Sequence, residues 1–333
     1  MTDVTLQSIY AARRAIHGVA CRTPLVPAYA LAGGASLDLR LKLETAQPTG
    51  AFKLRGAANA AARLSPEALR RGVVCASTGN HGRAVAYAAR RLGGRAVVCM
   101  SRLVPDNKLA AIRALGAEAR IVGESQDEAQ VEVARLVAEE GLSEIPPFDH
   151  PDVIAGQGTI GLELLEDFPE VDTVVVPLSG GGLIAGIARA VKSAAPGVRV
   201  VGVSMARGAA MQASLAAGKP VDVREEPTLA DSLGGGIGLD NRWTFRMVRD
   251  LVDDVVLLSE AEIAAAMRRL FLEEGWVAEG GGAVGVALLQ DQHRALLGKR
   301  VAMLVSGRNI DMGLFRRVVD GEVPFAERET ADG

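Results

Sequence analysis

Aromatic side chains are scarce, at 4% of the 333 residues, and the formal net charge is only −3. Neither the basic footprint nor the stacking surface of a nucleic-acid binder is present, so no nucleic-acid partner is expected. Cysteine is scarce too. Cys21, Cys75 and Cys99 form no CxxC pair, and "GVVCAS" and "AVVCMS" set two of them in apolar runs, where a thiol packs as a small hydrophobe. A reducing, cytoplasmic compartment fits that usage. His17, His81, His150 and His293 stand singly, without the spacing of a zinc site, so no catalytic transition metal is expected. The longest uncharged stretch, "TVVVPLSGGGLIAGIA", contains Pro177 and a glycine triplet and falls short of the ~20 apolar residues of a membrane span. No membrane partner is expected. The N-terminal stretch sets Leu6, Ile9, Ile16 and Val19 on an amphipathic helix, and Arg13 and Arg14 interrupt any signal-peptide core.

What is present is apolar bulk: 49% of the residues are hydrophobic and 23% charged, enough for a large core divided between two lobes. Short β-branched runs ("LRLKLE", "GVVCAS", "RAVVCM", "ARIVG", "DTVVVPLS", "VRVVGVS", "DDVVLLS", "RVAMLVSG") alternate with alanine-rich helical segments. That alternation predicts an α/β fold of parallel sheets flanked by helices. Most of the runs are apolar on both sides of the pleat, as doubly covered parallel strands are. The pattern changes around residues 145–159, where Pro146, Pro147 and Pro151 cluster. The acidic run "SQDEAQVEVARLVAEEG" before it reads as a solvated helix face.

One internal echo carries chemistry. "VVCASTGNHGRAVAYAARRLG" and "VVVPLSGGGLIAGIARAVK" are each a strand, a tight Gly/Ser loop and a helix that starts on small residues. Such a design aims backbone N–H groups and a helix dipole at one spot, and so builds an anion site. Gly180, Gly181 and Gly182 allow close approach to a phosphate, with Ser179 as a further donor. No GK[ST] follows, which favours a phosphate monoester over a triphosphate. The GxGxxxG spacing of Gly180, Gly182 and Gly186 leaves dinucleotide binding open, with Arg207 near a ribose phosphate and an NADP-dependent oxidoreductase as the function. A tight turn with no ligand is the plainest alternative. In "STGNHG", Ser77, Thr78, Gly79, Asn80 and His81 offer donors suited to a carboxylate or to the oxygen of an aromatic hydroxyl.

Lys53, between Phe52 and Leu54 in "TAQPTGAFKLRGAANA", reads alone as a solvated lysine. The cofactor that presents one phosphate, acts on carboxylate-bearing substrates and requires a lysine amine is pyridoxal 5'-phosphate. Ser306, in "MLVSGRNID" at the end of the last apolar run, stands where a hydroxyl meets a ring nitrogen. By itself it reads as a capping serine.

Taken in order, "PTGAFKLRGA", "STGNHG", "AGQGT", "SGGGL" and "SGRN" resemble the fold-type II pyridoxal phosphate enzymes of the serine/threonine dehydratase and serine racemase group, over nearly the whole chain. "TGNHGRAVAYAARRLG", "VCMSRLVPDNK", "SQDEAQ" and "PTLADSLGGGIGLDNR" resemble more narrowly the hydroxyectoine utilization dehydratases of ectoine catabolism. The resemblance implies a tryptophan synthase beta-like architecture. A large cofactor-binding domain would comprise residues 1–71 and 149–333, and a small mobile domain residues 72–148. It implies that Lys53 carries the cofactor covalently, with Phe52 against the pyridine ring and Asn80 on the ring hydroxyl. Gly180, Gly181, Gly182 and Leu183 would hold the phosphate and Ser306 the ring nitrogen. Ser77, Thr78 and His81 would hold the substrate carboxylate.

The implied reaction is β-elimination of water from a β-hydroxy amino acid such as threonine or serine, or one derived from hydroxyectoine. The freed Lys53 would act as base and Ser306 would leave the pyridine neutral. Racemisation remains the alternative, with Thr78 at the position where racemases of the group place a hydroxyl opposite the lysine. The resemblance also implies a homodimer and a small amino acid as the only other partner. Ser204 and Ala210 stand where relatives carry the carboxylates of a divalent-cation site, so no metal is expected. "EGGGAVG" replaces the usual EPxGA, which leaves the role of Glu279 open. The sequence stops soon after "GLFRRVVDGEVPFAERETADG", so isoleucine-type feedback inhibition is not expected.

Overall fold

The computed structural model describes residues 3–34, 36–77, 79–104 and 106–325. All eight β-branched runs form strands, and two short strands that the run pattern does not announce join them. In chain order they are β1 (Leu25–Pro27), β2 (Asp38–Leu43), β3 (Val73–Ala76), β4 (Ala96–Met100), β5 (Glu118–Ile121), β6 (Ser143–Glu144), β7 (Thr173–Pro177), β8 (Arg199–Met205), β9 (Asp254–Leu258) and β10 (Arg300–Val305). One sheet has the order β1-β2-β10-β7-β8-β9 and the other β5-β4-β3-β6. Every pairing is parallel except β1 with β2. β1 is three residues long and ends in Pro27, which belongs on an edge because proline cannot donate to a ladder. All five residues of β4, and all five of β7, are buried, as strands covered on both faces must be.

The parallel order fixes where a ligand can sit. β10 lies between β2 and β7, and Val305 is level with Leu43. The loops that leave β2, β7 and β10 therefore open on one edge of the large sheet, the carboxyl edge where α/β sheets hold ligands. These loops are "ETAQPTGAF", "LSGGG" and "SGRNID". In the small sheet, β3 ends at Ala76 and delivers Ser77, and then Gly79 and the helix Asn80–Arg91.

The helix Lys53–Ala62 joins the two halves. Its sequence, KLRGAANAAA, is small enough to pack against both the Asn80 helix and the helix Pro151–Asp167. Its alanines share a core with Val73, Cys75, Val85 and Val98 of the small-sheet half. Where it crosses the Pro151 helix, a Cβ on Gly56 would lie 2.5 Å from Gln157 Nε2, and one on Gly156 would lie 2.5 Å from the Arg55 carbonyl. Only glycine permits that separation.

Beside the crossing lies a buried charge cluster. Arg55 donates to Glu44 through Nε and Nη2, both at 2.8 Å, and to Glu163 through Nη1 at 2.6 Å and Nη2 at 2.9 Å. Lys42 reaches Glu163 at 2.6 Å and the Thr23 carbonyl at 2.7 Å. None of the four charged residues is more than 4% exposed. The two cations and two carboxylates compensate one another and clamp the Lys53 helix to β2 and the Pro151 helix. Among the described residues, no helix is long and apolar enough to cross a membrane.

Candidate active site

Lys53 is the first residue of its helix, set there because the Phe52 amide donates to the Ser306 carbonyl at 3.0 Å and ties the loop after β2 to the end of β10. The Lys53 ammonium donates to the Pro147 carbonyl at 2.7 Å and stands 5.4 Å from the Phe52 ring centre. Burial lowers its pKa to about 8, partly offset by the charge of Glu279. An amine held at that value supplies a substantial neutral fraction near physiological pH.

The glycine loop after β7 meets the same space. Gly181, with φ +87°, caps the helix Gly182–Ala194, and among the described residues no side chain bonds to the helix start. Its first N–H groups are thus left for an anion. Phe148 packs on the loop so closely that a Cβ on Gly180 would fall 2.4 Å from its ring. The segment that carries Pro147 and Phe148 is fixed by Asp149, which accepts from the backbone amides of Arg242, Trp243 and Thr244. Leu183, the next residue in the helix after Gly182, is buried.

From the small-sheet half come Ser77, Asn80 and His81. The Ser77 hydroxyl accepts from the Gly79 amide at 3.3 Å and so shapes the loop. Thr78 lies outside the described residues. His81 Nε2 bonds the Ile145 carbonyl at 2.7 Å, while the buried Nδ1 has no partner among the described residues. Burial and then the Lys53 charge push its pKa down to about 3. The ring is therefore neutral, with Nε2 donating to the carbonyl and a bare lone pair on Nδ1. Ser306 is buried at the end of β10, and its hydroxyl makes only a long 3.4 Å contact with the Gly281 carbonyl.

Three residues that the sequence reading leaves without a role complete the site. Glu279 accepts from Asn80 Nδ2 at 2.7 Å and from the Asn309 amide at 3.1 Å. Burial, with the charge of Asp231, raises its pKa to about 7, although hydrogen bonds from Asn80, Ser232 and Asn309 hold it down. Asn309 bonds Asn80, Thr49 and Arg83. Asn309 sits inside the quoted "SGRN", and Arg83 follows Asn80 by one helical turn, so the i, i+3 spacing was the available signal.

The dinucleotide alternative loses its third glycine. A Cβ on Gly186 would fall 2.3 Å from the Ile154 carbonyl, so that residue serves a helix crossing and faces no ligand. The geometry instead fits a phosphate-bearing aldehyde cofactor. It offers a half-buried amine of lowered pKa, an uncapped helix start at a glycine loop, an Asn80 N–H not yet spent and an orphaned His81 Nδ1.

The sequence pattern of the family described as "Pyridoxal-phosphate dependent enzyme" matches residues 16–307. The chain belongs to this family. It is 56% identical, over 99% of both chains, to a Sinorhizobium fredii protein named "Putative threonine dehydratase". It is 42% identical to the L-threonine ammonia-lyase of Thermotoga maritima, over 95% of this chain and 78% of that one. Among solved structures, threonine deaminase isoform 2 of Solanum lycopersicum superposes with a TM-score of 0.88 at 34% identity, covering 94% of this chain and 87% of that one. Maize serine racemase superposes with a TM-score of 0.89 at 34% identity, covering 95% and 97%. These relatives make the chain a lyase of the dehydratase (ammonia-lyase) type, dependent on pyridoxal phosphate, and its α/β fold is that of fold type II.

Proposed function

We propose that this lyase eliminates water from a small β-hydroxy amino acid of the threonine or serine kind, the product hydrolysing to a keto acid and ammonia. The observation that carries the reading is the Lys53 ammonium: half-buried, of lowered pKa, and held beside Pro147 and the end of β10, with Phe148 on the glycine loop next to it. Bound pyridoxal phosphate supplies an aldehyde for the amino group and a ring that withdraws electrons from the substrate Cα.

The protein does the rest. Lys53 anchors the cofactor and, once its amine is free, takes the proton from Cα. The backbone N–H groups of Gly180, Gly181, Gly182 and Leu183 bind the phosphate, and Phe52 lies against the ring. Ser306 meets the ring nitrogen and, as a hydroxyl, leaves it unprotonated. Asn80 meets the ring hydroxyl. The loop of Ser77, Thr78 and His81 binds the substrate carboxylate, with the neutral His81 ring contributing position rather than charge.

Residues 72–148 form the small lobe that brings the Asn80 loop onto the substrate, and residues 1–71 and 149–333 form the large one. Support comes from the confinement of each sheet to one of these ranges. The protein works in the cytoplasm as a homodimer. Its resemblance to hydroxyectoine utilization dehydratases extends the substrate class to ring-opened, hydroxylated diaminobutyrate derivatives, which carry the free amine that the closed hydroxyectoine ring lacks.

The test is a panel of hydroxylated amino acids, with open and closed hydroxyectoine derivatives, scored for ammonia and keto acid. Release from threonine, serine or an open derivative is expected, and turnover of the intact ring alone overturns the reading. The high structural similarity to a serine racemase is addressed in the same panel by chiral analysis. Inverted amino acid without keto acid would make the enzyme a racemase.

A further inference from the structure

Asn80 sits inside a chain of hydrogen bonds whose direction is fixed at both ends. Arg83 Nη1 donates to Asn309 Oδ1 at 3.0 Å, and a guanidinium can only donate. Asn309 Oδ1 is therefore the acceptor, and its amide nitrogen must face the other way. That nitrogen donates to the Thr49 carbonyl at 2.8 Å and to Asn80 Oδ1 at 2.6 Å. A backbone carbonyl can only accept, so both ends impose the same orientation on Asn309. Asn80 Oδ1 is thereby occupied as an acceptor, and Asn80 Nδ2 must turn toward Glu279 Oε1, 2.7 Å away. The second carboxyl oxygen of Glu279 is held by the Asn309 amide at 3.1 Å.

Counting donors leaves one hydrogen over. Both Asn309 amide hydrogens are spent, and one of the two on Asn80 is spent on Glu279. Among the described residues the second Asn80 N–H is unspent, while Oδ1, which keeps one lone pair, is turned toward the Asn309 amide. Flipping the Asn80 amide would set its oxygen against the Glu279 carboxyl and its nitrogen against the Asn309 nitrogen, losing two hydrogen bonds and creating two repulsive contacts. The chain also spans the molecule. Asn80 and Arg83 lie on the helix after β3, whereas Thr49, Glu279 and Asn309 belong to the half built on the larger sheet.

We propose that Arg83, Asn309 and Glu279 are positioning residues that direct this chain so that Asn80 presents an N–H, never its carbonyl, to the ring hydroxyl oxygen of the cofactor. The inference rests on the placement of the ring beside Asn80 proposed above. An N–H donor stabilises the ionised oxygen over the neutral hydroxyl, because a hydrogen bond to the charged form favours that form. The bound cofactor is thereby biased to its ring-ionised, visible-absorbing state. Arg83 does this from a distance, through its hydrogen bond to Asn309 and its charge facing Glu279.

The test compares wild type with Asn80→Ala, Asn80→Asp, Arg83→Met and Arg83→Gln. Each is read in two ways: titration of the cofactor-free protein with pyridoxal phosphate by fluorescence, and the ratio of visible to near-ultraviolet absorbance of the loaded protein. Asn80→Asp, which offers only acceptors when ionised, is expected to show a lower visible fraction and weaker binding than Asn80→Ala. Arg83→Met, which releases the direction of the chain, is expected to lower the visible fraction and to weaken cofactor binding about threefold to tenfold, the loss of roughly one hydrogen bond. Arg83→Gln still has a donor for Asn309 Oδ1 and is expected to retain the wild-type spectrum.

An Asn80→Asp spectrum equal to or yellower than that of Asn80→Ala overturns the inference. So does an Arg83→Met protein unchanged in both readings, or Arg83→Gln behaving as Arg83→Met. If Asn80→Ala itself matches wild type in both readings, it is the placement of the ring beside Asn80 that fails. An altered Asn80→Ala with an unaltered Arg83→Met confines the failure to the chain.

Discussion

Two buried groups of charges flank a single turn of helix, and they are built on opposite principles. Around Arg55, each carboxylate is bonded by a cation and each cation by a carboxylate. Burial works against the Arg55 charge but Glu44 and Glu163 outweigh it, so its pKa is raised; burial works against the Glu163 charge but Arg55 outweighs it, so its pKa is lowered. Lys42 is held below its ordinary value by burial that Glu163 only partly offsets. Two residues earlier, around Lys53, opposite charges feel one another but, among the described residues, neither Lys53 nor Glu279 is in a direct ion pair. The ammonium bonds a carbonyl, Glu279 receives its hydrogen bonds from neutral donors, and His81 is buried with an orphaned nitrogen. Here burial pushes the pKa values of Lys53 and Glu279 toward neutrality, to about 8 and about 7, and that of His81 away from it, to about 3. A matched cluster holds the helix in place, while an unmatched one keeps Lys53 and Glu279 close to exchanging protons and His81 neutral.

The comparison breaks most sharply at Lys53. Lys53→Ala is expected to lower turnover by roughly four orders of magnitude or more and to abolish the yellow colour of the loaded protein. Its stability at neutral pH should be unchanged or raised. The folded-state pKa is depressed below the ordinary 10.5, so the stability this group contributes is lost as pH falls through about 8, and removing the amine removes that penalty. Ammonia release and urea unfolding measure the two halves. A large loss of stability would place Lys53 with the structural cluster instead.

Arg55→Met should do the reverse. It leaves two buried carboxylates with one lysine and is expected to cost about 3–5 kcal/mol of stability, read by denaturant unfolding, with any fall in activity following the fraction unfolded. A variant as stable as wild type would show that the cluster is dispensable to the clamp.

The contrast also explains what the sequence could and could not disclose. Strand runs such as "DTVVVPLS" and "RVAMLVSG" carry their own signal, because a strand covered on both faces must be apolar throughout. The glycine triplet is legible from local chemistry, whereas Lys53 reads alone as a solvated lysine and gains a role only from the anion loops and the order of the motifs. β1 and β6 are too short to form a period. Arg55, Glu44 and Glu163 look like ordinary surface charges, and only the packing of two glycine-bearing helices buries them. Asn309 and Arg83 gain their meaning from each other across 226 residues, and Glu279 from an asparagine 199 residues away. Such pairings have no local pattern to read.

The finest distinction between the two clusters is electrostatic, and Glu279→Gln probes it with a smaller effect. Above pH about 7 the wild-type Glu279 is anionic, and its charge raises the pKa of Lys53. In the proposed mechanism the base form of Lys53 takes the proton, so kcat should rise with pH up to about 8 and then level. Removing the anion lets burial act unopposed, so the rise should move to lower pH by roughly half a unit. Stability should change with the opposite emphasis. The folded-state pKa of Glu279 is raised from 4.5 to about 7, so wild-type stability declines as pH rises through that window, while the Gln variant lacks the decline. A kcat profile displaced to higher pH, or parallel stability curves for the two proteins, would mean that Glu279 is compensated after all and that the second cluster is as matched as the first.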